Sequence, residues 1–174
     1  SRAETEIAAM SAACESYKAD NAVYPRPLFT TPNSTTDALD ARTMGDPTTT
    51  NYTAASLVLY RALSGDRNLD RVVDTADESL DIDGSTLGTP LTQLPRSYYT
   101  FKPNQLSPTD GQSVPVQYIR DPFGNSYGYS TANQADPANK GYNPTFDLWS
   151  TAGLTNNPSP PPSDTITPQW IKNW

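Results

Sequence analysis

The chain of 174 residues carries a net charge of −7, 17 prolines, one cysteine and no histidine. The lack of histidine excludes Ser-His and Cys-His nucleophile pairs and imidazole metal ligands, the lone Cys14 excludes an internal disulfide, and the negative charge opposes nucleic-acid binding. The length fits one domain, and a proline content about twice the ordinary ~5% predicts long, rigid connections.

Ala3, Ile7, Met10, Cys14 and Tyr17 follow one another at helical spacings, which predicts an amphipathic helix over residues 3–20. Alanines at 8, 9, 12, 13 and 19 add helix propensity, and Ser1-x-x-Glu4 matches a capping box. Ile7 and Met10 are expected inside, whereas Glu4 and Glu15 are expected to face solvent and to tolerate alanine. Cys14 falls on the stripe and is expected to be a small buried apolar side chain without chemistry. Residues 21–51 lack periodicity and read as an irregular loop that ends in a helix start at Thr50-Asn51. Ala55, Val58, Leu59, Ala62 and Leu63 then predict a second helix, stopped by Gly65 and packed on the first.

From Asp66 to Gly88 the chain is acidic. Asp66-x-Asn68-x-Asp70, with Asp74 and Asp77 beyond, resembles the start of a calcium loop, but Arg71 stands where the sharp turn needs glycine. These charges are therefore read as solvated ion pairs. Segments 97–101, 114–119, 126–130 and 146–151 are β-prone and predict a small antiparallel sheet, with a proline-initiated turn at Asp121-Pro122-Phe123-Gly124-Asn125 and a longer polar connection over 133–143. Residues 156–167 are too proline-rich for helix or central strand. Asn33-Ser34-Thr35 and Asn51-Tyr52-Thr53 match the glycosylation tripeptide. Acidic pairs such as Asp77-Glu78 and Asp81-x-Asp83 read as solvated, no phosphate-cradling glycine motif is present, and no enzymatic activity is expected. No apolar run approaches the ~20 residues needed to span a bilayer.

Three motifs carry a family resemblance. The first is Tyr17-Lys18-x-Asp20-Asn21-x-x-Tyr24-Pro25, where the alanine-rich helix stops. The second is Asp121-Pro122-Phe123-Gly124-Asn125-x-Tyr127, and the third is Phe146-Asp147-Leu148-Trp149-Ser150, followed by a terminal Asn173-Trp174. In this order they resemble the major pseudopilins of type II secretion, within the type IV pilin-like family. The likeness covers roughly the first 27 and the last 60 residues; the Thr-rich, acidic middle is outside it.

The resemblance implies an α+β, pilin-like domain over 1–174. A long N-terminal helix (1–20) would pack on a small antiparallel sheet, with a variable loop and second helix over 21–96 and the sheet and Pro-rich loop over 97–174. The implied function is structural, as a pseudopilus subunit that assists protein export. Subunits of this family form a homo-polymer through the N-terminal helix, with other pseudopilins and secretion-machinery proteins as partners. The precursor is held in the inner membrane and the filament is periplasmic, in a bacterium of the Gram-negative type. Tyr17, Lys18, Asp20, Tyr24, Pro25, Asp121, Pro122, Gly124, Asn125, Asp147, Trp149 and Trp174 are the structural motif positions. The family's major subunits hold calcium after the third motif; here the candidate ligands reduce to Asn156 and Asp164, so calcium is expected to bind weakly or not at all, and no other cofactor is expected. The alternatives are a type IV pilus or minor pseudopilin subunit that binds a surface or partner and, in another class, a secreted glycan-binding or hydrolytic domain.

Overall fold

A computed structural model describes residues 1–27, 35–110, 114–155 and 167–174, and it shows an α+β fold. Helix α1 spans Arg2–Asn21. The Ser1 hydroxyl accepts the Glu4 N–H at 3.3 Å, and the helix closes at Ala22, whose N–H donates to the Lys18 carbonyl from a left-handed φ of 66°. The predicted stripe of Ala3, Ile7, Met10, Cys14 and Tyr17 is buried, and Glu6 and Ala13 are buried with it. Helix α2 spans Thr50–Ser64 and buries Val58, Leu59, Ala62 and Leu63. It stops at Gly65, where a φ of 82° and a Pro95 carbonyl 2.9 Å from any added Cβ require glycine.

The strands form two antiparallel sheets. Strand β1 (Leu106–Ser107) pairs with β2 (Tyr118–Ile119), while β3 (Gly128–Ser130), β4 (Asp147–Ser150) and β5 (Ile171–Lys172) lie in the order β3-β4-β5. Tyr129 faces Leu148 across β3 and β4, and Ser150 faces Ile171 across β4 and β5. Helix α1 packs on α2, β4 and β5, and α2 packs on β2 and β3.

The strands are shorter than the sequence predicts. No strand forms over 97–101, because the N–H groups of Tyr98 and Tyr99 are captured by the Leu63 carbonyl at 2.7 and 3.0 Å. That carbonyl lies in the last turn of α2 and has no intrahelical donor of its own. Over 114–119 only Tyr118–Ile119 is strand, since Pro115 has no N–H and the Val116 N–H goes to the Leu69 carbonyl at 3.1 Å. The polar connection after β3 contains a single helical turn, α3, at Ala132–Ala135.

Two apolar clusters make the core. The larger joins α1 and α2 to both sheets, and the smaller gathers Leu39, Ala41, Tyr52, Ala55, Trp149 and Trp170. Residues 35–48 are irregular, as expected for the loop over 21–51, but they are packed: Leu39 is fully buried, and Tyr52 donates its hydroxyl to the Met44 carbonyl at 2.6 Å. The glycosylation tripeptide at Asn51 lies in the first turn of α2 with Tyr52 buried, and Asn33 and Ser34 of the other lie outside the described residues, as do 156–166.

Candidate functional site

The third motif links the other two. Tyr24 of the first packs against Phe146 of the third with ring centres 5.1 Å apart, and the Pro25 carbonyl accepts the Tyr129 hydroxyl at 2.7 Å. The second motif joins the third through the Ser150 hydroxyl, which donates to Asp121 Oδ2 at 2.6 Å. The junction is built at the end of α1. Tyr17 lies edge-on to Tyr98 at 5.4 Å, the Lys18 ammonium sits 4.7 Å over the Tyr24 ring, and Asp20 accepts the Tyr98 hydroxyl at 2.8 Å and pairs with Arg96. The Tyr98 hydroxyl bond, together with the charge and hydrogen bond of Arg96, holds the Asp20 carboxyl below its usual range. Glu15 accepts the Tyr24 hydroxyl at 3.0 and 3.1 Å, so it is tied to the junction rather than free on the helix surface.

Asp121 is the anchor of the second motif. Its Oδ1 accepts the N–H groups of Phe123 and Asn125, both at 2.9 Å, and Gly124 completes the turn at a φ of 91°. Pro122 is half-buried in the turn and supplies its fixed φ. Burial pushes the Asp121 carboxyl up against the opposing pull of these donors. Trp149 is fully buried, donates Nε1–H to the Tyr52 hydroxyl at 3.1 Å and stacks on Trp170 at 5.7 Å. Trp174 stacks on Tyr142 at 4.5 Å, and Asn173 exchanges hydrogen bonds with Leu148.

Asp147 accepts the N–H groups of Tyr142 at 2.9 Å and Asn143 at 2.8 Å. Burial pushes its carboxyl from 3.8 up to about 6; Asp40 raises it further, while the two N–H donors and Arg42 oppose the shift. A proton on Asp147 therefore stabilises the fold, a contribution complete below pH 3.8 and lost as the pH rises through 6. Urea unfolding of the wild type and of Asp147→Asn should show it. Between pH 5 and pH 7 the wild type is expected to lose on the order of 1 kcal/mol relative to the variant. A constant difference across that range would contradict the assignment.

The acidic loop differs from a set of solvated ion pairs. Asp66 and Asp77 are buried, and their partners are largely backbone donors. Asp66 accepts the Asp70 and Arg71 N–H groups and the Tyr60 hydroxyl, at 3.2, 2.7 and 2.6 Å; Asp77 accepts those of Arg67, Asn68 and Asp74, at 2.7, 3.0 and 2.8 Å. Arg71 takes the left-handed turn with a φ of 70°, and its guanidinium, like that of Arg67, donates to a carbonyl instead of a carboxylate. Among the described residues no group of three acidic, cysteine or histidine side chains is arranged to hold a metal ion. Asn156 and Asp164, the candidate calcium ligands, lie outside the described residues.

A surface trough of about 490 Å³ lies beside the junction, between Lys18 and Tyr24 on one side and Asn133, Gln134, Pro144 and Thr145 on the other. Cys14 is fully buried, and burial pushes its thiol far up, which makes it unreactive. The residues that sequence reasoning misses are Glu6 and Asp37. Glu6 is buried on the packing face of α1, and Asp37 binds Arg26 in a two-pronged ion pair at 3.0 and 2.6 Å. No family model, no curated protein and no solved structure matches the chain.

Proposed function

We propose that the chain is the globular head, with the adjoining helix, of a filament subunit of the pseudopilin type, and that its fold is pilin-like. The observation that carries this reading is that β4 links the three motifs: the first meets the third at a junction of the end of α1 with Phe146, and the second is tied to the same strand at Ser150. Such a junction fixes a helix to a head, and the motif residues are spent on packing and on backbone hydrogen bonds instead of on an open reactive cleft. In this reading α1 leads toward the filament axis and the head faces outward.

Among the described residues no helix is long and apolar enough to cross a membrane. Assembly would draw on an apolar segment upstream of Ser1. Residues 1–174 alone should then sediment as a monomer at moderate salt, with the charge of −7 keeping heads apart. The full-length natural protein should pellet with membranes. A tight, salt-insensitive oligomer of residues 1–174 would favour assembly through the heads, and a full-length protein released in soluble form would contradict the proposal.

A further inference from the structure

We propose that the buried hydrogen bond between Glu6 and Tyr127 is a register key, which fixes the axial position of α1 on the head. Its meaning for a filament rests on the function proposed above; its existence does not. Glu6 is 7% exposed and Tyr127 is 1% exposed. The Tyr127 hydroxyl donates to Glu6 Oε1 at 2.7 Å, and Arg2 Nε donates to Oε2 at 2.9 Å.

The apolar face of α1 opposes a slide through side-chain volume and not through polarity. A slide of one turn, about 5.4 Å, replaces each residue by its neighbour four positions away. Ala3 would take the place of Ile7 and Met10 that of Cys14, so the stripe stays apolar and only the mismatch in side-chain volume opposes the slide. Glu6 is the one charged residue that α1 buries. Moved this way, Glu6 would take the buried place of Met10 without the hydroxyl. Moved the other way, it would reach the exposed place of Arg2 and leave the buried Tyr127 hydroxyl without its acceptor, so a slide in either direction is disfavoured.

Tyr127 is a rigid post for this purpose. Its N–H donates to the Ile119 carbonyl at 3.0 Å, and the next residue, Gly128, is pressed against the Trp149 ring. The polar contacts at the other end of α1, from Asp20 and Asn21 to Tyr98, are exposed and discriminate less. For a helix that passes load or spacing along a filament, the key makes the head follow the helix without slip.

Distances between spin labels test this in residues 1–174. Labels go on cysteines at Ala12, exposed on α1, paired in turn with Asn139 and with Lys102, exposed on the head; Cys14 is buried and stays unlabelled. The wild type should give one distance for each pair. Glu6→Leu should add a second population in at least one pair, displaced by roughly one helical turn. Glu6→Gln, which still accepts the Tyr127 hydroxyl, should restore the single distance. If Glu6→Leu does not fold, Tyr127→Phe removes only the hydroxyl and should show the same second population. Single, wild-type distances in whichever of these two variants folds would overturn the proposal and leave the filament reading untouched.

Discussion

Gly128→Ala is expected to lower the melting midpoint by roughly 6–12 °C, the equivalent of about 3 kcal/mol in a domain of this size. A Cβ at this position would lie 2.2 Å from Trp149 Cε2 and 2.3 Å from Cζ2. The ring has no room to yield: it is fully buried, stacked on Trp170 and hydrogen-bonded to Tyr52. Relief must then come from the β3-β4 pairing itself, where Gly128 faces Trp149. Thermal melts decide the matter, and Gly128→Ala combined with Trp149→Leu should cost less than the sum of the two single changes. Additive costs, or a single-variant midpoint within two degrees of the wild type by order of magnitude, would show that the ring is free to move.

Ile7→Asp is the second large effect. Ile7 is 5% exposed within the larger cluster, and an aspartate there buries a carboxylate with no partner, at a cost of about 3–5 kcal/mol. Glu4→Ala, at the exposed start of the helix, should stay within about 0.5 kcal/mol. Glu15→Ala falls between them, since it leaves the Tyr24 hydroxyl without its acceptor. Chemical denaturation of the three variants should give this order. Equal midpoints for Ile7→Asp and Glu4→Ala would place the stripe against solvent.

The elements that local patterns define were legible in the sequence. The stripe of α1, the start of α2 at Thr50, its stop at Gly65 and the turn anchored by Asp121 each follow from spacing or from one residue's backbone preference. Glu6 was not, because a glutamate beside an apolar stripe reads as a surface residue and its partner lies 121 positions away. The packed course of residues 35–48 was hidden for the same reason. It depends on distant polar contacts, such as Asp40 accepting the Gly141 N–H at 3.1 Å and Thr131 donating to Asp37 at 2.6 Å, which leave no periodic trace. The acidic loop was misread because charge composition suggests ion pairs, whereas buried carboxylates are satisfied equally well by backbone N–H groups.

The central claim, that α1 leads into the axis of a filament, is tested most directly by cross-linking the full-length natural protein in its assembled form. Cysteines replace Ala8 and Ala12, which face outward on α1, and in separate molecules Asn139, which is exposed on the head. On overproduction the protein should form fibres that sediment with membranes, and oxidation should link subunits through the α1 cysteines in long ladders. Fibres that cross-link through Asn139 but not through α1, or a protein that remains monomeric and soluble at full length, would contradict the account.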